Sequence, residues 1–405
     1  MIYAASTGLA ETVLRLRARL GGSEGLRERL VRDLPRKPAS IWIHGASVGE
    51  LTSARPIIEA LARDFSLQIT ANSVTGRDMV IGWGLPARLA PLDLPRALGR
   101  FLDAVQPRMA LTIEQELWPL KSRLLEDRGI RQAVIGARMS EGSSRKWARL
   151  RGVISPMLGR IDALSAQDAA SESRLRDLGL RDNAILPVMD LKLLAPASIQ
   201  PPEQDPARNR VMLAASTHEG EDGPVLDGWL KARQTHPDLR LILAPRHPQR
   251  GDAIAQMMRD RGIAFSRRSQ GAEDAPVLLA DTLGEMALWY GRAGICLVGG
   301  SLIDKGGHTP WEPAAYRCAL LHGPHIANHA TGFDLLTRAG AARKVTSADL
   351  GAKLIALVQD PAQIAAMGRT ARDVLTARVG DPQTMIARLG DLARRRDRPD
   401  ICGMI

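Results

Sequence analysis

SIWIHGASVGELTSARPIIEALARD (Ser40–Asp64) reads as a short apolar strand over Ser40–His44, a loop of small residues, and a helix running to about Asp64. The same alternation continues on both sides of a break. SLQIT (Ser66–Thr70), ARLAPLD (Ala87–Asp93), RMALTIE (Arg108–Glu114) and QAVIGA (Gln132–Ala137) are further predicted strands, with helical or turn-rich stretches between them. IDALSA and AILPV close this first lobe. LLAPASIQPPEQDPARN (Leu193–Asn209) is rich in Pro, Gln, Asp and Ala and lacks periodicity, which marks a linker. After it RVMLAAS, LRLILAP, APVLLAD, AGICLVGG and CALLHG restart the strands, and a last helical stretch runs from about Pro361 to Arg395. Short apolar strands alternating with helices predict parallel sheets covered on both faces. The expected fold is therefore α/β, with two Rossmann-like, doubly wound lobes and a ligand cleft at the carboxyl ends of the strands. The expected boundaries are a basic amphipathic segment at 1–39, a first lobe at 40–192, the linker at 193–209, a second lobe at 210–380, and a C-terminal helix and tail at 381–405.

Composition narrows the function. A chain of 405 residues is too long for one compact core. Aromatic residues make up only 3%, which argues against stacking platforms for single-stranded nucleic acid. No helix-turn-helix or zinc-finger pattern appears either, so no nucleic-acid partner is expected. The formal charge of +11 attracts anions, either a phosphorylated substrate or an anionic membrane face, although solvated Arg on helix faces accounts for it equally well. Ile2, Ala5, Leu9, Val13, Leu16 and Leu20 recur at helical spacing with Arg15, Arg17 and Arg19 largely off that stripe. Such a helix either lies in a membrane interface or docks on its own domain. Three Cys (Cys296, Cys318, Cys402) without pairing or metal-site spacing fit a reducing compartment. No apolar run is long enough to span a bilayer, so the expected place is the cytoplasm or the cytoplasmic face of a membrane, peripherally bound.

The residues that carry chemistry sit in loops after strands. In HGASVGE (His44–Glu50), the small residues, Ser47 and Gly49 among them, let a ligand approach the backbone. Glu50 opens the following helix, where it is either a dipole-complementing cap or a base for a sugar hydroxyl. TIEQELWP (Thr112–Pro119) carries Glu114 and Glu116 beside Trp118, a combination suited to sugar hydroxyls. In AASTHEGED (Ala214–Asp222), Ser216 and Thr217 are expected to cap the next helix while His218 and Glu219 face the cleft. Arg246 and His247 end a strand between Pro245 and Pro248 and form a candidate phosphate or carboxylate clamp. The segment Val298–His329 is the richest. Gly299, Gly300 and Ser301 make an anion-facing loop, Gly306, Gly307 and His308 make a second, and Glu312 is placed to hold ribose hydroxyls. His322, His325 and His329 lack carboxylate partners at metal-ligand positions, so neither a metal nor another cofactor is expected.

Taken together, IWIHGASVGE, the ELWP stretch, GARMS, AASTHEGED, APRHPQR, DTLGEM and GGSL…GGHTPWEPAA…GPH resemble, in order and spacing, the 3-deoxy-D-manno-octulosonic acid (Kdo) transferases of lipopolysaccharide assembly. The resemblance covers about Ser40 to His329. It implies a GT-B-type fold and inverting, metal-independent transfer of Kdo from CMP-Kdo to a lipid A precursor, lipid IV-A. By the same resemblance Glu50 is the general base, and Arg246, His247, Gly300, Ser301, His308, Glu312 and Asn328 bind the donor. Ser47, Gly49, Glu116, Lys192, His218 and Glu219 would shape the acceptor pocket. Some stretches depart from the family pattern. Thr309-Pro310-Trp311-Glu312 replaces a usual Asn-Pro-Leu-Glu, Met189-Asp190-Leu191-Lys192 a Gly-Asn-Leu-Lys, and Ala327-Asn328-His329 a Phe-Asn-Phe. The departures leave open a related GT-B transferase with another donor or acceptor; a separate alternative is a non-catalytic protein binding anionic lipid or nucleotide, against which the presence of Glu50, Arg246 and Glu312 together argues.

Overall fold

The computed structural model describes residues 11–15, 17–18, 23–35, 37–114, 116–203, 205–272 and 274–395. Most of the expected N-terminal stripe, the tail beyond 395 and Cys402 lie outside these residues. The chain divides into two compact units, one formed by Met1–Ala195 with Val379–Ile405, the other by Pro196–Arg378.

The first unit holds a six-stranded sheet: β1 (Ile41–Gly45), β2 (Leu67–Ala71), β3 (Ala87–Leu89), β4 (Met109–Ile113), β5 (Arg131–Ala137) and β6 (Ala163–Ala166). All pairings are parallel and the spatial order is β3-β2-β1-β4-β5-β6. Every residue of β1, β2, β4 and β5 is buried, because helices cover both faces, and this explains why these strands read as apolar runs rather than alternating ones. The predicted AILPV strand does not form. Leu186 N–H and Met189 N–H bond to Leu164 and Ala166 beside β6. Pro187 between them has no N–H to give, and its carbonyl accepts from Ser165 Oγ at 2.7 Å, so the ladder is interrupted.

The second unit holds a seven-stranded parallel sheet: β7 (Val211–Thr217), β8 (Arg240–Pro245), β9 (Phe265–Arg267), β10 (Val277–Leu279), β11 (Ile295–Val298), β12 (Ala319–His322) and β13 (Ala342–Lys344). Its order is β13-β12-β11-β7-β8-β10-β9. The edge strands β9 and β13 have three residues each, too short to show periodicity in the sequence. One core runs beneath this sheet, from Met212 and Trp229 through Leu297 to Leu357 and Met367.

The stretch expected to be a featureless linker is structured. It carries the helix Leu194–Ser198 and a 3-10 turn at Pro206–Arg210. Arginines stitch it to the second unit: Arg372 donates to the carbonyls of Pro196 and Ala197, and Arg208 to those of Tyr290, Ala293 and Tyr316. The last helical stretch is two helices, Pro361–Val379 and Pro382–Arg394. Gly380 takes φ +72° between them, Asp381 caps the second and Pro382 starts it, a break that only a residue free of a Cβ accepts readily. The helix Pro382–Arg394 packs back on the first unit.

Candidate functional site

In each sheet the strand order reverses at one place, between β1 and β4 in the first and between β7 and β11 in the second. The loops leaving the carboxyl ends of strands at such a reversal splay apart and leave a crevice. Four of the loops singled out by sequence are these four: HGASVGE after β1, TIEQELWP after β4, AASTHEGED at the end of β7 and VGGS after β11.

In the first unit the helix Val48–Asp64 begins with Ser47 as N-cap, its Oγ accepting from Glu50 N–H at 3.2 Å. The Glu50 carboxylate folds back, with Oε2 accepting from Ala46 N–H at 2.7 Å and Oε1 from Ser47 Oγ at 3.1 Å. Ser47 and Glu50 thus make the first half of a Ser-x-x-Glu capping box, while the carboxylate reaches one residue further back, to Ala46. The group expected from sequence to be either a cap or a base is thus engaged with the helix start. Burial raises the Glu50 pKa, the bond from Ala46 opposes the rise, and the negative charges of Glu114 and Glu116 add to it. Glu114 sits at φ +56°, a strained turn for a residue with a side chain, and Lys192 reaches within 3.9 Å of its carboxylate. Ser47, Gly49 and Lys192 are exposed.

Glu116 is held differently. Its carboxylate accepts from Trp118 Nε1 at 2.6 Å and Asn72 Nδ2 at 3.5 Å. The facing His44 ring, Trp118 and the Lys121 ammonium keep its pKa down at about 2, against partial desolvation. His44 Nε2 stands 3.7 Å away, too far for a hydrogen bond, and acts by proximity. Burial lowers the His44 pKa, and its Nδ1 faces Thr70 Oγ1 at 3.0 Å. Lys121, only 6% exposed, points its Nζ at Thr112 Oγ1 and the Glu116 carbonyl, both at 3.3 Å, and burial lowers its pKa to about 8. His44 and Lys121 have no obvious sequence signal as members of this site. His44 lies near the end of an apolar strand, and only the pairing of β1 with β4 brings it to Glu116, whereas Lys121 sits in the helix just after Glu116 and turns its Nζ back to the Glu116 carbonyl.

In the second unit the His218 and His308 rings stack at 5.1 Å with their Nε2 atoms 2.9 Å apart, and His247 stands edge-on to His218 at 6.0 Å. Two imidazolium ions cannot share that bond, so one ring donates and the other accepts. Burial first, then the charges of His218 and Arg246, lowers the His308 pKa to about 4, and burial lowers that of His218 as well. Arg246 is exposed, and its guanidinium makes no hydrogen bond or ion pair among the described residues, while its backbone N–H is anchored on the Thr217 carbonyl at 2.9 Å. Its charge reaches Glu312, whose surroundings nonetheless raise the carboxyl pKa by desolvation although the residue itself is open to solvent. Tyr290 Oη lies 3.5 Å from Glu312 Oε2. Arg246, His247, His218, His308 and Glu312 thus form one group in the second unit.

Several sequence expectations change here. The Gly299–Ser301 loop does cradle an anion, but the anion is the chain's own Glu221. That carboxylate, 1% exposed, accepts from the backbone N–H groups of His218, Gly300, Ser301 and Leu302 at 2.7–3.1 Å. Ser301 is fully buried, and its hydroxyl bonds the Val298 carbonyl and Gly323 N–H, so it holds the loop and offers nothing to a ligand. Thr217 does not cap the next helix, since its Oγ1 binds buried Asp222, which also pairs with Arg250. Asn328 donates to the carbonyls of Lys305 and Gly307 and so braces the Gly306–Gly307 turn. Glu219 is exposed. Trp311, one of the departures from the family pattern, lies in the core at 8% exposure, in room left by Gly332, where an added Cβ would meet Trp311 Cζ2 at 3.0 Å. His322 packs on Phe333, and among the described residues no three His, Cys, Asp or Glu converge on a metal position.

The family model for 3-deoxy-D-manno-octulosonic-acid transferases (kdotransferase) matches residues 15–195. The 3-deoxy-D-manno-octulosonic acid transferase of Bordetella pertussis is 33% identical over 385 residues, 87% of each chain. That of Haemophilus influenzae is 32% identical over 336 residues, 76% of each chain. Among solved structures, UDP-GlcNAc 2-epimerase from Neisseria meningitidis superposes with a TM-score of 0.55 over 87% of this chain and 99% of its own, at 11% identity. MurG from Acinetobacter baumannii gives 0.52 over 87% and 98%, also at 11% identity. At that identity the likeness is one of fold, the GT-B type.

Proposed function

The chain belongs to the 3-deoxy-D-manno-octulosonic acid (Kdo) transferases, and on that footing we propose that it transfers Kdo from CMP-Kdo, with inversion, to a hydroxyl of a lipid A precursor such as lipid IV-A. It is a glycosyltransferase of lipopolysaccharide biosynthesis. The observation that carries the assignment of roles is Glu50, a carboxylate with raised pKa at the sheet reversal of the first unit.

Glu50 takes the proton of the acceptor hydroxyl as the oxygen attacks the anomeric carbon. The bond from that carbon to the CMP phosphate oxygen breaks, and CMP leaves with the electron pair. A raised pKa suits this work, because a base with an ordinary carboxylate pKa holds a proton too weakly near neutral pH. Glu116, its pKa held down at about 2 and its carboxylate bonded to Trp118, is a weaker base than Glu50 and is suited to orient sugar hydroxyls instead. Arg246 supplies positive charge for the phosphate or the Kdo carboxylate, the neutral His218–His308 pair offers an N–H, and Glu312 accepts from ribose hydroxyls. The cation opposite the leaving phosphate is thus a guanidinium of the chain itself.

The acceptor is a lipid, and the first unit has a surface to meet its membrane. Arg145, Lys146, Arg149 and Arg151 are all exposed around Leu150 at 56% and Val153 at 42% exposure. Cations beside exposed apolar side chains suit an anionic membrane interface. Among the described residues no helix is long and apolar enough to cross a membrane, so the proposed attachment is peripheral, on the cytoplasmic face of the inner membrane.

The test is CMP release from CMP-Kdo with and without a tetraacylated lipid A precursor, in excess chelator. Release that needs the acceptor and persists under chelation supports the reading. A folded protein that binds CMP yet releases none from CMP-Kdo would refute the donor or the acceptor.

A further inference from the structure

The amino end of the first sheet holds a second polar site, on the opposite side of that sheet from the loops that bear Glu50 and Glu116. Arg131 opens β5, Asp162 immediately precedes β6, and the helix Pro382–Arg394 lies across them. Together they enclose a cavity of about 220 Å³ lined by Arg131, Arg181, Arg388 and Arg395 with Asp162 and Asp391. Four guanidinium groups from three separate stretches of chain face two carboxylates.

Those carboxylates are already engaged. Asp162 accepts from Gln132 N–H at 2.8 Å and faces Arg131 Nη1 at 3.5 Å, and Arg131 and Asp162 are both buried or nearly so. Asp391 faces Arg394 Nη1 at 3.5 Å. Arg181 donates through Nη2 to the Ile161 carbonyl at 3.0 Å, while its Nε is buried and has no acceptor. Arg388, exposed at the rim, makes no hydrogen bond or ion pair among the described residues. A buried N–H without an acceptor is costly, and like charges gathered without compensation repel.

We infer that this cavity binds a compact, multiply charged oxyanion of the phosphate or pyrophosphate class. Each element of the argument bears on that class. Arginine forks match the tetrahedral oxygens of phosphate and donate to two at once. The surplus of two positive charges is balanced by a dianion and left half-balanced by a carboxylate. The volume falls below the 300–1,000 Å³ or so of sites for drug-sized molecules, which excludes a whole nucleotide or sugar nucleotide. The bound anion would join the helix Pro382–Arg394 to the starts of β5 and β6, and thus fasten the returning C-terminal segment to the first unit.

The site is independent of the transferase reading and is tested apart from it. Isothermal titration of the full-length protein, saturated with CMP and at low ionic strength, is run with inorganic pyrophosphate, inorganic phosphate and acetate. One site is expected for pyrophosphate, a weaker one for phosphate and none for acetate. R388A and R181A should each weaken pyrophosphate at least tenfold while leaving CMP affinity as in the unchanged protein, which also reports that the variants fold. Absence of pyrophosphate binding overturns the inference. So does binding that CMP abolishes and R388A leaves intact, since that pattern belongs to the donor-binding loops.

Discussion

Replacing Glu221 by Gln tests how the second unit holds its ligand loop. The carboxylate accepts four backbone N–H groups, two on each oxygen: Ser301 and Leu302 on Oε1 at 3.1 and 3.0 Å, His218 and Gly300 on Oε2 at 2.8 and 2.7 Å. A Gln of the same shape keeps one oxygen and turns an NH2 toward the other pair. Two buried amides then lose their acceptor, at about 1–3 kcal/mol each, so the substitution should cost roughly 2–6 kcal/mol. Against a typical stability of about 5–15 kcal/mol this is a large fraction. Because the protein has two units, a single unfolding midpoint can mislead. The direct assay is amide hydrogen exchange at Gly300–Leu302, combined with urea unfolding. Exchange there should accelerate by about 30-fold or more, and CMP should bind more weakly, since His218 and the turn at Gly306–His308 rest on the same loop. Exchange rates within a few-fold of the unchanged protein, or a stability loss under about 0.5 kcal/mol, would refute the view that Glu221 is the loop's anion.

Glu50→Gln should reduce turnover by roughly 10²–10⁴-fold with CMP affinity unchanged, and residual activity near the original level would remove Glu50 from the mechanism. Glu312→Ala should weaken CMP more than it alters unfolding, and equal CMP affinity by titration would sink the ribose assignment. The depressed pKa of Glu116 contributes stability that is present above about pH 4.5 and lost as pH falls toward 2, at most about 3 kcal/mol. Glu116→Gln should therefore flatten the acid limb of the stability–pH curve, and an unaltered limb would show that the carboxylate is not held as described. Reversing Arg145, Lys146, Arg149 and Arg151 to Glu should abolish sedimentation with anionic vesicles at low salt, and undiminished binding would place the membrane contact elsewhere.

Much of this architecture was legible in the sequence because buried parallel strands are short apolar runs, and each such run here was followed by a loop of small or charged residues. HGASVGE, TIEQELWP, AASTHEGED and VGGS could be singled out on residue type alone, and they prove to be the four loops at the two strand-order reversals. Gly380-Asp381-Pro382 also carries the chemistry of a helix break, yet the helical pattern on both sides hid it. What sequence could not decide is which polar group answers which. Strand β9 and strand β13 are too short to show a period, and AILPV has strand composition but a Pro where the ladder needs an N–H. Glu221 looks like one acid among three in HEGED, and only the pairing of β7 with β11 puts the amides of Gly300–Leu302 around it. The same holds for His44 beside Glu116, and for Arg388, some 250 residues from Arg131 in sequence. Residue type and local period determine elements and loop chemistry, because those depend on neighbours along the chain. Charge state, bonding partner and the sites built from distant segments depend on neighbours in space, and only the tertiary structure decides those.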